Sequence, residues 1–421
     1  GFVRWTEGRN LAAIVDLLAS GNLDVRPLIS HCFPIEKAPE AYELITGKKE
    51  EPFLGVVLTY SSEDAAPKTD NLTAGYSFPK TSGTNDVKRK NDLVRLGVFG
   101  AGNFATAVML PALKKTGNIE LVGILSGSGL SAAHAAQKFG FHYAAENIDQ
   151  ILNDPGINTI AILTRHDLHA EQVVTALQAG KHVFVEKPLA INKAQLADIS
   201  DQLSVARDQL LTVGFNRRFA PLAQKMRAFI LKRSEPLVAH YRINAGFIPL
   251  THWLHDPEIG GGRIIGEGCH FVDFLTFLVG EPPVSVSAQG LPDGGIYCED
   301  NVVMTFTYPD GSLGTVSYLA NGDKSFPKER VEVFTGGRVA VLDDFRSLEM
   351  IHNGKRETVR SRMRQDKGHQ AEWEFFARSI LGGGDLPIPY NQLFGVTEAT
   401  FVALESLQNR ETKQSDQKTI D

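Results

Sequence analysis

The segment FVEKPLAIN, residues 184–192, ends an apolar run in Glu186, Lys187 and Pro188. Successive strand side chains point to opposite faces, so only one of the two charged residues should enter a cleft at the strand end. A lysine in a cleft can hydrogen-bond a substrate oxygen and take part in proton transfer. Pro188 ends the strand in an extended or turn conformation and allows a cis Lys187–Pro188 bond. An exposed lysine at a strand end is the alternative for this segment.

A second segment, GGRIIGEGCHFVDFLTFL over residues 261–278, runs from glycines into a predicted amphipathic helix. Glu267 and His270 lie near the helix start, and Asp273 follows three residues later. Residues three apart on a helix are neighbours, so Asp273 could orient the His270 imidazole. A histidine there could take a hydroxyl proton while a hydride leaves the same carbon. On this segment alone, a helix-start histidine satisfied by local hydrogen bonds is the better explanation.

A glycine-rich turn, GAGNFA over residues 100–105, follows the predicted strand LVRLGVFG. Gly100 permits the tight turn, Gly102 lets the backbone approach a pyrophosphate, and Ala105 lets the helix pack closely. The helix amino end would then face the phosphates. The pattern predicts a dinucleotide site that includes Asn103 and Phe104 as well.

The end of the second strand, ILSGSGLSA, lacks the carboxylate that usually binds the ribose of NAD. Ser126 and Ser128 occupy this region, and small hydroxyl residues tolerate a 2′-phosphate, although no arginine stands beside them. The sequence therefore predicts an NAD(P) cofactor with a slight lean to NADP.

The segment TRHDLHAE, residues 164–171, leaves the strand TIAIL at the sheet edge where ligands bind. We assign Thr164, Arg165, His166 and His169 to the cofactor cleft, together with Glu186, Lys187 and Pro188. Two histidines could suggest a metal pair, but no third ligand with convincing spacing follows. HWLHD, later in the chain, has the same weakness, and no metal site is predicted.

These segments sit in a regular order of elements. Strands and helices alternate over residues 93–215, which indicates a doubly wound parallel α/β sheet, the Rossmann fold. NVVMTFTYPDGSLGTVSYLA reads as a hairpin, so residues 216–421 are predicted as an α+β domain with a large, mostly antiparallel open sheet. Residues 1–60 give a helix over 8–20, a strand, a helix and a strand. The polar segment 61–92 is predicted as a linker.

Composition narrows the function. Lys plus Arg total 43 against 49 for Asp plus Glu, a net charge of -6 with no basic stripe, so nucleic acid is not an expected partner. Three dispersed cysteines indicate neither a disulfide framework nor a cysteine zinc site. We find no signal peptide and no membrane span, and we expect a cytoplasmic protein. The absence of an initiator methionine suggests a fragment or processed product.

Taken in order, GAGNFA, TRHDLHAE, FVEKPLA, VGFNRRFAP and GEGCHFVDFL resemble the Gfo/Idh/MocA oxidoreductases, the relatives of glucose-fructose oxidoreductase and inositol dehydrogenase. The resemblance extends from about residue 93 to the end of the chain. It implies a Rossmann domain followed by an open sheet that holds the substrate and often mediates oligomers. Lys187 and His270 match the catalytic lysine and histidine of that family, and a homo-oligomer is expected.

One position departs from the family. Its members commonly carry an aspartate four residues before the histidine, where this chain has Gly266, and the neighbouring Glu267 is the candidate substitute. The resemblance also suggests that Asn216, Arg217 and Arg218 border the cleft. Either arginine could bind a substrate carboxylate or phosphate, and salt bridges on a helix surface are the alternative.

Residues 1–60 resemble a different family. EGRNLAAIVDLLASGNLDVRPLISHCFPIEKAPEAYELI is similar to the carboxyl-terminal end of a medium-chain, zinc-type alcohol dehydrogenase. The glycine-rich loop and zinc ligands of that family are not in this chain, so no catalysis is expected from this part. The arrangement resembles bacterial two-module proteins associated with polysaccharide sugars.

Together these observations predict an oxidoreductase that transfers a hydride between a nicotinamide and a secondary alcohol or ketone of a sugar. A sensor or regulatory scaffold that binds a dinucleotide without catalysis is the alternative, because a fold does not by itself determine function. Lys187 and His270 favour the enzyme, whereas the missing aspartate at Gly266 favours the scaffold.

Overall fold

The computed structural model describes residues 23–46, 51–59, 93–206, 208–361, 365–382 and 385–418. These residues fall into two compact units, within residues 1–69 and 70–421 respectively. The predicted linker over 61–92 and the predicted helix over 8–20 lie outside the described residues.

The first unit contains a β-α-β arrangement. Strand β1 (Ile29–Pro34) is followed by helix α1 (Ala38–Ile45) and strand β2 (Gly55–Thr59), and the two strands pair in parallel. Ala41 and Leu44 of α1 are buried. The strand, helix and strand predicted for this region are therefore confirmed, with small shifts at their ends.

The second unit begins with a six-stranded parallel sheet in the order β5-β4-β3-β6-β7-β8. Its strands are β3 (Val94–Phe99), β4 (Ile119–Leu125), β5 (Tyr143–Ala144), β6 (Thr159–Ile162), β7 (His182–Val185) and β8 (Leu211–Val213). The connecting helices are α2 (Leu110–Lys115), α3 (Gly129–Phe139), α4 (Ile148–Leu152), α5 (His169–Gln178) and α6 (Lys193–Val205). This strand order is that of the doubly wound Rossmann fold, as predicted. The two-residue strand β5 is an addition to the prediction, because it is too short to give a periodic signal.

An eight-stranded sheet follows, in the order β10-β11-β12-β9-β13-β14-β15-β16. Its strands are β9 (Val238–Asn244), β10 (Ser285–Gly290), β11 (Asn301–Thr307), β12 (Leu313–Leu319), β13 (Glu329–Thr335), β14 (Arg338–Asp343), β15 (Ser347–His352) and β16 (Lys355–Arg360). Only β9 and β12 pair in parallel among these strands. The predicted hairpin is the antiparallel pair β11 and β12. The mostly antiparallel sheet is thus confirmed.

Four further α-helices lie in the described part of the second unit. They are α7 (Pro221–Ile230), α8 (Cys269–Val279), α9 (His369–Gly382) and α10 (Tyr390–Lys418). Helix α7 contacts β14 and β15, α8 contacts β12, and α10 contacts β10. None of the helices in the described part of the chain combines the length and apolarity that crossing a bilayer requires.

Helix α9 comes late in the sequence yet contacts the Rossmann sheet. The Trp373 indole Nε1–H donates to Met109 Sδ at 2.9 Å, and the Trp373 ring stacks on Phe184 of β7 with 4.4 Å between centroids. Trp373 is fully buried. This packing holds the start of α9 beside the carboxyl edge of the parallel sheet.

Candidate active site

A cleft of about 350 Å³ lies where the carboxyl edge of the parallel sheet faces the start of α8. Open α/β sheets bind ligands at this edge. The predicted residues that line the cleft from the Rossmann side are Phe104, Thr164, His166, His169, Glu186 and Lys187. Those that line it from the other side are Asn216, Arg217, Glu267 and His270. Segments that are distant in sequence are therefore brought together around one cavity.

The glycine-rich turn between β3 and its helix has the geometry that a dinucleotide needs. Gly100 has φ +105, and a Cβ there would stand 2.5 Å from the carbonyl oxygen of Leu163. Gly102 faces open space, with no atom within 4 Å of its Cβ position. Ala105 is buried at the start of a π-helical turn, Ala105–Met109. A pyrophosphate can approach the backbone here, so these residues fit an NAD(P) cofactor.

The position expected to contact the adenine ribose carries hydroxyl groups. Ser126 directly follows β4 and is half-buried, and Ser128 is exposed at the start of α3. The Arg165 guanidinium packs over another residue, Trp253, with its central carbon 5.6 Å from the centre of that ring. A serine here leaves space for either a 2′-hydroxyl or a 2′-phosphate.

His166 and His169 bond backbone carbonyls that belong to other segments. His166 Nδ1 lies 2.8 Å from the carbonyl oxygen of Gly260, and His169 Nδ1 lies 2.7 Å from that of Pro188. Burial lowers the pKa of His166 to about 3 and that of His169 to about 4, so both rings are neutral near pH 7. Nδ1 of His166 therefore acts as an N–H donor. In His169, Nε2 also faces a carbonyl oxygen, that of Thr164 at 3.2 Å, and the neutral ring donates to one of the two. Within the described ranges, no three His, Cys, Asp or Glu side chains converge on a possible metal position.

Lys187 points into the cleft and contacts the segment before α8. Its Nζ donates to the carbonyl oxygen of Gly266 at 2.9 Å, and the Lys187–Pro188 peptide bond is cis. The neighbouring Glu186 is also buried at the cleft, because Gly214 leaves room for its carboxylate. Burial raises the pKa of Glu186 to about 7, against the opposing charge of Lys187.

His270 follows a π-helical turn, Ile264–Gly268, that widens the helix at its start. Such turns are frequent at functional sites. The imidazole is buried, and its Nδ1 has no hydrogen-bond partner in the described part of the chain. Burial, reinforced by Arg217 and Lys187, lowers the pKa of His270 well below its ordinary value.

Asp273 contacts Arg218 and not His270, which corrects the predicted orienting role. The Arg218 guanidinium donates to both Asp273 carboxylate oxygens, through Nε at 3.1 Å and through a second nitrogen, and to Gln392 at 2.9 Å. Arg218 and Asp273 are both buried. The helical spacing predicted a pair with His270, but the charge partner of Asp273 comes from a different segment of the chain.

Arg217 is also paired inside the protein. Its Nε and one terminal nitrogen donate to the two Glu329 oxygens at 2.8 and 3.0 Å, and Lys367 donates to the same carboxylate at 2.6 Å. Asn216 donates to the carbonyl oxygen of Lys367 at 2.7 Å. Internal carboxylates therefore hold both guanidinium groups, and of the two arginines only Arg217 lines the cleft. That Arg217 binds a substrate anion stays a prediction.

Glu267 lines the cleft, although it lies one residue after Gly266, the position where the resemblance predicts an aspartate. Its carboxylate accepts hydrogen bonds from the Tyr318 hydroxyl and from Arg263 at 3.1 Å, and Lys328 Nζ lies 3.6 Å away. Burial alone would raise the pKa of Glu267, but Lys328, Lys187 and Arg263 hold it at about 2. Glu267 is thus an ionised carboxylate at neutral pH.

Sequence reasoning missed four residues that line the cleft: Leu163, Trp253, Lys367 and His369. The Trp253 ring packs edge-on against His166 with 4.9 Å between centroids. His369 lies at the start of α9, where its ring centre is 6.0 Å from that of Phe104. The aromatic residue within HWLHD was a usable signal for Trp253, but no local pattern marks Lys367 or His369.

Family models match both parts of the second unit. Residues 94–215 match the oxidoreductase family with an NAD-binding Rossmann fold, and residues 235–336 match the GFO/IDH/MocA carboxyl-terminal domain. Both family models begin at or after residue 94, so neither supports the zinc-type alcohol dehydrogenase resemblance of residues 1–60.

Individual relatives agree with these models. The 1,5-anhydro-D-fructose reductase of Ensifer adhaerens is 30% identical over 231 residues, which are 50% of this chain and 68% of that protein. The myo-inositol 2-dehydrogenase of Thermotoga maritima is 26% identical over 265 residues, 61% of this chain and 78% of that protein. Levoglucosan dehydrogenase in complex with NADH and levoglucosan shares the fold with a TM-score of 0.64 and 21% identity over 75% of this chain and 97% of its own. This chain therefore belongs to the Gfo/Idh/MocA family of oxidoreductases.

Proposed function

We propose that this enzyme oxidises a secondary alcohol of a sugar or sugar derivative, or reduces the matching ketone, with Lys187 and His270 as the proton-handling residues. The observation that carries the proposal is that both side chains line one cleft beside the glycine-rich turn. Relatives whose names specify an anhydrosugar, an inositol and levoglucosan support a polyhydroxylated substrate. When bound, the dinucleotide supplies the position that accepts or donates the hydride.

Lys187 would hold the reacting oxygen. An ammonium group has three N–H donors, and only one is engaged with Gly266. The remaining donors can bind and polarise a hydroxyl or carbonyl oxygen in the cleft. Lys187 thus orients the oxygen on the carbon that reacts.

His270 would exchange the hydroxyl proton. Its Nδ1 is buried, which leaves Nε2 as the ring nitrogen that can meet a substrate. A neutral imidazole can accept a proton during oxidation and return it during reduction. Glu267, ionised beside Lys328 and Lys187, would support the positive charge that forms when His270 is protonated.

The cofactor would be held by Gly100, Gly102, Asn103, Phe104 and Ala105 at the glycine-rich turn, with Ser126 at the ribose. The hydroxyl of Ser126, in place of a carboxylate, supports the lean towards NADP. Thr164, His166, His169 and Glu186 would border the nicotinamide end. We further propose the domain limits 93–215 and 216–421 and a homo-oligomer. The assignment of residues 1–60 to a medium-chain dehydrogenase remains a prediction from the sequence pattern.

The test measures NADH and NADPH oxidation with a panel of keto-sugars, for the parent chain, Lys187→Met and His270→Gln. We expect both substitutions to lower turnover by roughly 10²- to 10⁴-fold while cofactor affinity stays nearly unchanged. Lys193→Met is a matched control, because Lys193 is exposed and pairs with Glu405 at 2.7 Å. Normal turnover of Lys187→Met would refute the assignment. Tight cofactor binding without turnover across the panel would instead support the sensor alternative.

A further inference from the structure

The cleft and the groups that contact it carry more cationic side chains than ionised carboxylates. Lys187, Arg217 and Lys367 line the cleft. The Lys328 Nζ lies 3.6 Å from the carboxylate of Glu267, which lines the cleft. Glu329 forms ion pairs with both Arg217 and Lys367, and Glu267 is the other ionised carboxylate in this group. Glu186, which also lines the cleft, carries a pKa raised by burial to about 7 and adds only part of a negative charge at neutral pH.

This excess of positive charge acts on His270, the residue that would take the substrate proton. The groups that interact electrostatically with the His270 imidazole include Arg217, Lys187 and Lys328, and each disfavours an added proton. A negative group on the substrate would offset this field. A neutral sugar would leave the positive charge around His270 uncompensated.

A second cavity, of about 620 Å³, is linked to the cleft by one ion pair. Lys328 lines this cavity and also reaches Glu267 of the cleft. Lys324, Ser325 and Ser347 line the cavity as well. The lysines and hydroxyl groups provide the donors that a carboxylate or phosphate accepts.

The carboxylates of this second cavity already have cationic partners. Asp343 lies 3.5 Å from Arg330, and Asp344 lies 3.3 Å from Arg346. Lys324 lines this cavity and has no ion-pair partner among the described residues. Its ammonium is therefore available to a ligand.

We infer that the substrate is an anionic sugar derivative whose carboxylate or phosphate binds between Lys328 and Lys324, next to the carbon held at Lys187. This inference rests on the proposed function, because it assumes that the sugar occupies the cleft. Lys328 has the central position, since it lines the second cavity and also contacts Glu267, which lines the cleft. Its hold on Glu267 is loose at 3.6 Å, and its side chain is 38% exposed, so it can turn towards a ligand.

The test uses the full chain saturated with NAD⁺ or NADP⁺ and measures binding of inorganic phosphate, glucose, glucuronate and glucose 1-phosphate at constant ionic strength. We expect the anionic probes to bind at least about tenfold tighter than glucose. Glucuronate and glucose 1-phosphate separate a carboxylate from a phosphate as the preferred group. Equal affinity of the charged and neutral probes, or no measurable binding of any anion, would overturn the inference.

Substitutions then locate the anion. Lys328→Gln and Lys324→Gln should abolish the preference for the anionic probes. Lys225→Gln should preserve it, because Lys225 is similarly exposed and pairs with Glu357 at 3.4 Å on the surface. An unchanged preference in Lys328→Gln would contradict the assignment. Turnover separates the two proposals. Rapid turnover of neutral sugars without a charge preference would refute only the inference that the substrate is anionic. Charge-selective binding without turnover of any sugar would refute only the proposed enzymatic function.

Discussion

The imidazole of His166 occupies the space that a side chain at Gly266 would need. A Cβ atom on Gly266 would stand 2.8 Å from His166 Cε1 and 2.9 Å from Leu254 Cδ1. The His166 ring is held by its bond to Gly260 and by Trp253. The position where the family resemblance predicts an aspartate is therefore closed by a histidine from the Rossmann domain, while the Gly266 carbonyl oxygen binds Lys187.

Gly266→Ala is expected to lower the free energy of unfolding by about 1–3 kcal/mol, because the added methyl group overpacks a buried site. Thermal or denaturant unfolding provides the measurement. Gly268→Ala is the matched control in the same π-helical turn, since the nearest neighbour of its Cβ would be Ile264 Cγ2 at 3.5 Å, an ordinary contact. A double variant with His166→Ala should recover part of the loss. Equal stability of the two alanine variants would mean that the His166 side chain moves aside without lowering the free energy of unfolding.

Glu186 should make stability depend on pH. Burial raises its folded-state pKa to about 7 from the ordinary 4.5, so its stabilising contribution is complete below about pH 4.5 and is lost as the pH rises through about 7. The loss amounts to at most about 3 kcal/mol. Glu372 is buried, its carboxyl oxygens have no partner among the described residues, and its raised pKa acts in the same direction.

Glu186→Gln should therefore flatten the decline of the thermal midpoint between pH 5 and pH 8. The difference between the parent chain and the variant isolates the contribution of this carboxyl from that of all other groups. Parallel pH profiles would show that Glu186 is ionised without cost in the folded protein.

Asp273→Asn should act on stability through Arg218. Removing one partner of a buried ion pair costs about 3–5 kcal/mol, because the remaining charge stays buried. Glu357→Gln, which removes an exposed partner of Lys225, should cost less than about 1 kcal/mol. If Asp273→Asn kept its stability and instead shifted the pH dependence of turnover, the result would support the predicted role of Asp273 in orienting the His270 imidazole.

Ser126→Asp should lower the preference for NADPH over NADH by at least about tenfold, which corresponds to about 1.4 kcal/mol. A carboxylate can accept a hydrogen bond from the ribose 2′-hydroxyl, and it repels a 2′-phosphate. Steady-state kinetics with both cofactors provides the ratio. Ser128→Asp places the same charge two residues further on and should have a smaller effect. A strong preference of the parent chain for NADH would show that the lean towards NADP is wrong.

Much of the architecture follows from local sequence patterns. Buried apolar strands, helices with one apolar face and glycine-rich turns each depend on residues only a few positions apart, so the Rossmann order and the β11–β12 hairpin were accessible from the sequence. Gly100 illustrates the reason: a turn at φ +105 against the Leu163 carbonyl excludes any side chain. Lys187 before a proline and His270 after glycines were recognisable in the same way.

The sequence by itself determined the fold class, the glycine-rich turn and the residues most suited to proton transfer, because local sterics and periodicity govern them. Only the tertiary structure decided the partners of the buried charges. Arg217 and Glu329 are 112 residues apart in the chain, and Arg218 and Asp273 are 55 apart. Pairing among several buried ions depends on through-space distance and burial, and no local pattern encodes these. For the same reason, tertiary packing alone placed His166 over Gly266 and brought Lys367 and His369 to the cleft.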